Sequence, residues 1–325
     1  MNKEELRQIF MPYHSGKLAR LEREKMRLAY YTNFETAKLI VDNRAIWLRN
    51  TAHMNDLNEL EHGVGAIEGI LAKPSIQARL TSVLSPIDPN LGRFLLAAWQ
   101  RIKGALAGEV YITCVTEHPA EEDNFGRLSM WRAYSQPDGV AIVMNTDAFK
   151  LETNELNAYS SPVFYGYAAD AEQQLLEVLE AIESNISELA ALGAQFVAEF
   201  LALTLLFGAV CLKHPGFVEE AEWRVVHMPT LIPRKSRLVR RDNMLDPPQT
   251  IYEIPLIDDP KVGLIGLDPN LLFHRMIVGP SIRSEAIEAE LIQGLEAQGV
   301  KDAGQRIIRS GIPLRPTSLP KMANC

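Results

Sequence analysis

Apolar residues recur at helical spacing near the start of the chain. Leu6, Ile9 and Phe10 are followed by Leu18 and Leu21, which form a weak apolar stripe in an otherwise charged segment. A stripe of this period is typical of an amphipathic helix that covers one face of a larger body. The pattern therefore predicts an N-terminal helical arm over residues 1–27.

After the arm, the pattern changes from a helical period to that of a strand. Residues 27–32 are rich in aromatic and apolar side chains and predict a strand. Asn33 is a favourable N-cap for a helix over residues 34–42, and Glu35 lies in its first turn, where the helix dipole favours negative charge. A second short strand is predicted at residues 45–48.

Short strands alternate with helices and long loops along the rest of the chain. Further strands are predicted at residues 109–116, 140–144, 161–167, 223–228, 250–254 and 276–278, and long helices at 169–192, 194–213 and 280–299. This order predicts the α+β class, with a mixed, mostly antiparallel sheet, peripheral helices and an inserted long helical pair. We expect a single domain over residues 28–310 with the helical insertion at 169–213, followed by a loose tail at 311–325.

One apolar stretch, residues 192–212, approaches the length that spans a bilayer. Gln195 and Glu199 interrupt it, and a carboxylate at mid-membrane costs several kcal/mol. Its uninterrupted part, residues 200–212, has the length of a buried helix. We therefore predict a core helix and no membrane partner.

Composition places the chain among ordinary globular proteins, because 47% of its 325 residues are hydrophobic and 23% are charged. The net charge of −8 argues against general nucleic-acid binding but leaves room for a local basic groove. Cys114, Cys211 and Cys325 lack metal-type spacing, which predicts reduced thiols in a cytoplasmic protein. The N-terminus is charged from its third residue, and we expect no secretory signal.

The first group of candidate site residues lies in the first predicted strand and in the loop after the second. On an alternating strand, Tyr30 and Thr32 share one face, where they either fill a half-buried sheet or contact a ligand. The loop after the second strand concentrates carboxylates and amides, among them Asn55, Asp56 and Glu59. Such residues commonly form turns, but their density also suits a ribose hydroxyl or a cation.

A short helix is predicted over residues 128–134, and it carries a second group of candidates. Trp131 and Tyr134 lie one helical turn apart, on the same predicted face. A stripe of this kind is usually core, and it is also suited to stacking a flat ring. Arg132 would then supply charge to a phosphate.

A third group lies at a strand entrance, where Glu220 and Glu222 precede Trp223 and Arg224. Two like charges this close raise the pKa of at least one carboxyl group. The arrangement fits either a solvated strand entrance, with Glu222 paired to an arginine, or a catalytic carboxylate pair.

A basic run, residues 234–241, interrupts the acidic chain. Its cations are Arg234, Lys235, Arg237, Arg240 and Arg241. A solvated loop is the usual outcome for such a run, and a contact with nucleic-acid phosphate is the functional alternative.

The order of these motifs resembles a large bacterial family of proteins of unknown function. The matching residues are Tyr30-Tyr31-Thr32; Asn55, Asp56 and Glu59; Cys114, Glu117, Met130, Trp131, Tyr134 and Gly139; and Lys213, His214, Pro215, Phe217, Glu220, Glu222, Trp223 and Arg224. The resemblance spans about residues 28 to 280 and by itself implies no activity.

The opening strand and helix are more distantly similar to those of ADP-ribosyltransferase toxins that modify DNA. This similarity implies an NAD-using transferase, in a toxin or a phage-defence effector, with NAD as its substrate. It implies that Glu222, with Glu220 beside it, stabilises the oxocarbenium-like transition state, and that Tyr30 and Thr32 position NAD. Asn55, Asp56, Trp131, Arg132 and Tyr134 are expected to complete the NAD site, with an aromatic ring stacking on nicotinamide.

Two other classes of function stay open from the sequence. Glu222-Trp223-Arg224 is similar to the strand-borne Glu-x-Lys of metal-dependent nucleases, with Asp56 and Glu59 as metal ligands and the basic run on phosphate. The alternative is a non-catalytic module that binds a small molecule, with the long helices as an interface between copies.

Overall fold

The computed structural model describes residues 1–53, 57–106, 108–135, 137–151, 153–232, 235–244 and 248–313. The chain divides into two compact units. Unit 1 comprises Met1–Arg20, Arg49–Ile112 and Ser161–Pro233, and unit 2 comprises Leu21–Leu48, Thr113–Ser160 and Arg234–Cys325. The domain boundaries expected from the sequence stay a prediction.

Helices and strands alternate along the described residues. The helices are α1 Lys3–Phe10, α2 Pro12–Arg23, α3 Phe34–Asn43, α4 Leu57–Leu71, α5 Pro74–Leu84, α6 Leu91–Leu106, α7 Leu128–Tyr134, α8 Ala168–Ser184, α9 Ile186–Leu192, α10 Ala194–Val210, α11 Pro269–Leu272, α12 Ser284–Ala297 and α13 Ala303–Arg306. The strands are β1 Arg27–Asn33, β2 Ala45–Asn50, β3 Tyr111–His118, β4 Gly139–Met144, β5 Tyr159–Pro162, β6 Phe164–Tyr165, β7 Leu212–Lys213, β8 Glu222–His227, β9 Val239–Met244, β10 Gln249–Pro255, β11 Phe273–Val278 and β12 Ile307–Arg309.

The larger sheet follows the strand order β12-β11-β4-β1-β3-β2-β10-β9. Strand β1 pairs antiparallel with both β3 and β4, and Tyr31 lies opposite Ala141 on β4. Strands β11 and β12 are parallel, so the sheet is mixed but mostly antiparallel. The predicted α+β class is thereby confirmed.

The first strand and helix form where local sequence signals place them. The Asn33 side chain accepts the Thr36 amide at 2.8 Å, which gives α3 the predicted N-cap. The helix ends at Asn43, and the next residue, Arg44, caps it with a left-handed backbone whose φ is 48°. Its buried residues, among them Phe34, Ala37 and Ile40, form the stripe that the helical period predicts.

The inserted helices differ from the predicted pair in number. The helix predicted at 169–192 is divided into α8 and α9, because the chain leaves helical geometry at Asn185, whose side chain donates to the Ala181 carbonyl. Helix α10 ends at Val210, and the next residues form β7.

Helix α10 lies in the core of unit 1, where it packs against α4 and α6. Val197, Leu201, Leu205 and Leu206 are buried along it. Within the described residues, no single helix has the length and apolarity to cross a membrane. One bent pair, Ile186–Leu192 with Ala194–Val210, passes that test together, with a bend of 108°.

Candidate functional site

Two carboxylates and two cations meet at the start of β8 in unit 1. The Lys213 ammonium lies 2.7 Å from Glu220 Oε2 and 3.1 Å from Glu222 Oε2, and Arg224 Nε donates to Glu222 Oε1 at 2.8 Å. A 3-10 helix, Pro215–Glu220, and a left-handed Ala221 return the chain from Lys213 to this point. We call Lys213, Glu220, Glu222 and Arg224 the charge cluster.

The charge cluster is buried unevenly. Lys213 and Glu222 are 2% and 7% exposed, whereas the Glu220 side chain is 17% exposed. The formal charges of the four side chains sum to zero, which offsets part of the cost of removing them from water. Glu220 is therefore the carboxylate of the pair that lies closer to solvent.

Backbone contacts fix the position of the charge cluster. Arg224 Nη1 donates to the Val210 carbonyl at 2.5 Å, at the end of α10. The Tyr165 hydroxyl accepts the Glu222 amide at 2.7 Å, and burial raises the pKa of Tyr165. Both oxygens of Glu222 are bonded by cations of the chain, so the predicted pairing of Glu222 with an arginine is present.

Cys211 is buried near Arg224 and Glu222 of the charge cluster. Burial raises the pKa of its thiol to about 11, against the opposing influence of the nearby Arg224 charge. A thiol of this kind is a weak nucleophile near neutral pH. We therefore regard Cys211 as a packing residue.

The second group of predicted site residues lies in unit 2, around α7. Trp131 is 1% exposed and packs in a core cluster with Tyr31, whose ring centre lies 4.8 Å away. Its indole nitrogen donates to the Phe125 carbonyl at 2.7 Å. Trp131 is therefore enclosed by the core in this structure, and its role in an NAD site stays a prediction.

Tyr134 does not share the environment of Trp131. Tyr134 is 44% exposed and Arg132 is also exposed, so the shared face predicted for Trp131 and Tyr134 is corrected. The helix is short, and its inner surface is filled by Met130 and Trp131. On β1, Tyr30 is half-buried and Thr32 is 8% exposed.

Three glycine positions approach the Trp131 ring. An added Cβ would lie 2.7 Å from a ring carbon at Gly126, 3.1 Å at Gly139 and 2.9 Å at Gly279. Gly126 also has φ of +68°, which side chains rarely adopt. The Trp131 ring therefore requires residues without a side chain at these three positions, which explains the Gly that follows the MWxxY motif.

Arg127 organises a polar network in unit 2 that the sequence analysis did not single out. Its guanidinium donates to both Glu122 oxygens, at 2.8 and 3.2 Å, to the Thr116 hydroxyl at 2.8 Å and to the Glu117 carbonyl at 2.7 Å. Its amide donates to the Tyr31 hydroxyl at 2.7 Å. The sequence signal that could have indicated this network is the run of acidic residues over 117–123, which follows the strand predicted at 109–116.

His118, at the end of β3, lies in the same network and is fully buried. Its Nε2 lies 3.1 Å from Asp123 Oδ1, and Asp123 also pairs with Arg27 at 3.3 Å. Burial lowers the pKa of His118 to about 4, while the Asp123 carboxylate opposes this shift. His118 is therefore neutral at physiological pH.

The basic run is largely neutralised within the chain. Arg237 pairs with Glu155 and Asp259, Arg240 with Asp242, and Arg241 with Glu253, all between 2.9 and 3.1 Å. Lys235 is exposed, and Arg234 lies outside the described residues. Contact with nucleic acid stays a prediction.

Asn55 and Asp56 also lie outside the described residues. The remaining predicted site residues divide between the units, with Glu220 and Glu222 in unit 1 and Tyr30, Thr32, Trp131, Arg132 and Tyr134 in unit 2. Across the part of the chain that the structure describes, no three His, Cys, Asp or Glu side chains gather as metal ligands.

Most of α7 and the whole segment from Lys213 to Arg224 lie in one stretch of sequence that matches a known family. Residues 130–225 match the family "Protein of unknown function (DUF2971)". The predicted resemblance to a family of unknown function is confirmed over these residues. No curated protein and no solved structure matches the chain.

The DUF2971 match includes Trp131 and Gly139, and it includes all four residues of the charge cluster. Strand β1, with Tyr30 and Thr32, lies outside it. The similarity to ADP-ribosyltransferases stays a prediction.

Proposed function

We propose that the chain is an ADP-ribosyltransferase-like enzyme that uses NAD and acts through the carboxylates at the start of β8. The observation that supports this proposal is the Glu220–Glu222 pair, which shares Lys213 and has one member partly exposed to solvent. In this chemistry the bond between nicotinamide and ribose ionises, and a carboxylate stabilises the positive charge that develops on the sugar.

The two carboxylates receive different roles in the proposal. Glu220 is the more exposed of the pair, and we assign to it the contact with the ribose. Glu222 is buried between Lys213 and Arg224, and we assign to it the positioning of Lys213 and therefore of Glu220. A group held in advance by such contacts needs little reorganisation during the reaction.

The test is the release of nicotinamide from NAD, with a lysate fraction supplied as acceptor. Glu220→Gln should reduce release at least about 100-fold, in line with the loss of one preorganised electrostatic group. Glu219→Gln, at an exposed neighbouring position, is the matched control and should retain full activity. Equal activity of the two variants, or no NAD consumption by the unmodified protein, would contradict the proposal.

Tyr30 and Thr32 belong to unit 2 and are tested separately. If they position NAD, Tyr30→Phe and Thr32→Val should raise KM for NAD in variants that circular dichroism shows to be folded. An unchanged KM in both variants would remove these two residues from the proposal and leave Glu220 in it.

A non-catalytic binding role is the second candidate. One observation favours it, namely that both Glu222 oxygens are already bonded by cations within the chain. In this case NAD is not consumed, and Glu220→Gln leaves ligand binding unchanged. Calorimetry with NAD, run beside the nicotinamide assay, separates this outcome from catalysis.

A further inference from the structure

Three aromatic side chains lie at the surface beside the charge cluster, all within unit 1. They are Tyr167, His214 and Phe217, which we call the aromatic surface. Tyr167 is 55% exposed and Phe217 is 44% exposed, and His214 is exposed as well. Aromatic rings of this size are usually buried, and a group of them at the surface is characteristic of a binding site.

Contacts within the chain hold these rings in place. The rings of Tyr167 and His214 meet edge to face with centres 5.3 Å apart. His214 Nδ1 accepts the Gly216 amide at 3.0 Å, and its carbonyl accepts the Phe217 amide at 3.0 Å. The aromatic surface is therefore preorganised rather than a set of independent exposed side chains.

The aromatic surface is connected to the charge cluster through one lysine. Lys213 Nζ lies 4.7 Å from the centre of the Phe217 ring and 2.7 Å from Glu220 Oε2. One ammonium therefore covers part of an exposed ring and also contacts the carboxylate that we assign to the ribose. A ligand whose sugar lies at Glu220 would place an attached ring near Phe217.

We propose that the aromatic surface binds a planar heteroaromatic ring of the ligand, by stacking on Phe217. The inference rests on the proposed function, in which that ligand is NAD. NAD carries two such rings, nicotinamide and adenine, and each is joined to a ribose. Stacking of a base on an aromatic side chain commonly contributes enough to change affinity about tenfold or more.

The experiment measures binding by calorimetry with three probes. NAD carries both rings, nicotinamide mononucleotide carries only nicotinamide, and ADP-ribose carries only adenine. Phe217→Ala should weaken the binding of NAD about tenfold. It should weaken the binding of one of the two fragments to a similar degree, and that fragment identifies the ring that stacks on Phe217. Phe217→Trp should restore the affinity.

The matched control is Phe94→Ala, which removes an exposed phenylalanine of α6 in the same unit. Phe94 is 48% exposed and has the Arg93 guanidinium 5.8 Å from its ring centre, so it reproduces an aromatic ring beside a cation. Phe94→Ala should leave all three affinities unchanged. Circular dichroism and the melting temperature report whether each variant is folded.

The outcomes separate the inference from the proposed function. If NAD binds Phe217→Ala as tightly as the unmodified protein, the stacking inference is overturned and the proposed function stands. If the Phe217-dependent binding is found but NAD is never consumed, the inference stands and the transferase proposal fails. If none of the three probes binds, both are overturned.

Discussion

Lys213 is almost completely buried, and its ammonium group is surrounded by charged side chains. Its ammonium contacts both Glu220 and Glu222, so its removal leaves two carboxylates close together without the cation between them. Breaking a buried ion pair in this way is far more costly than breaking a pair at the surface. The stability of unit 1 should therefore depend strongly on this one side chain.

We expect Lys213→Met to lower the free energy of unfolding by about 3–5 kcal/mol. Lys103→Met is the matched control, because Lys103 pairs with Glu68 in the same unit but is 43% exposed, and it should cost at most about 1 kcal/mol. Urea unfolding followed by circular dichroism measures both. Similar losses in the two variants would show that the charge cluster is not electrostatically distinct from the surface.

His118 makes the free energy of unfolding depend on pH, and the direction of this dependence follows from the burial of its side chain. Its pKa is about 4 in the folded chain, against an ordinary value of 6.5, so the unfolded chain binds more protons between these pH values. The stabilisation from neutral His118 is complete above about pH 6.5 and is lost as the pH falls toward 4. Between pH 7 and pH 5 the loss amounts to about 2 kcal/mol.

The measurement compares urea unfolding at pH 7 and pH 5 in two variants. His118→Gln retains a polar side chain of similar length without the titration, and should lose less stability between these pH values than the unmodified protein. His62→Gln, at an exposed histidine in α4, should follow the unmodified protein. A pH dependence that is identical in all three proteins would refute the assignment.

At the scale of elements, the packing of α7 depends on the loop before it. Gly126 has φ of +68°, and an added Cβ would lie 2.7 Å from the Trp131 ring and 2.9 Å from the Tyr31 hydroxyl. Gly126→Ala should therefore destabilise unit 2 by about 2 kcal/mol, through backbone strain and overpacking together. Gly304→Ala in α13, where a Cβ meets no atom within 4 Å, should cost nothing.

Thermal unfolding of the two glycine variants is the measurement. The melting temperature should fall for Gly126→Ala and should stay the same or rise for Gly304→Ala, because alanine loses less conformational freedom on folding than glycine. A stable Gly126→Ala protein would mean that the loop can move away from the Trp131 ring without loss.

Elements whose signals are local could be predicted from the sequence. The strand β1, the Asn33 cap and the helix α3 follow one another over a few residues, and each carries its own signal. The division between α8 and α9 was missed, because Asn185 is a weak helix breaker whose effect depends on packing. Periodicity alone cannot show such an interruption.

The candidate site was predictable only in part, because contacts between residues that are distant in sequence leave no local pattern. Glu220 and Glu222 are separated by one residue in the sequence, and the structure places both against Lys213. The burial of Trp131 depends on its contacts with Gly279 and Tyr31, which lie far from it in the sequence, and no local pattern encodes these contacts. The Arg127 network joins residues of several elements and was missed for this reason.

At the scale of the whole molecule, the structure shows whether the most apolar helix is covered within a single chain, which composition alone does not show. The most apolar helix, α10, places Val197, Leu201 and Leu205 inside unit 1 rather than at its surface. These side chains are therefore already covered within one chain. Association of copies through the long helices stays a prediction, and light scattering of the purified protein would measure it.

The burial of the large indole rings also has a spectroscopic consequence. Trp99 and Trp223 are buried in unit 1, and Trp131 is buried in unit 2 among glycine backbones and the Tyr31 ring. Indole emission moves to longer wavelength when water reaches the ring. Phenylalanine replacements that leave only Trp131 or only Trp223 would therefore give each compact unit its own intrinsic fluorophore, so that its unfolding can be recorded without an attached dye.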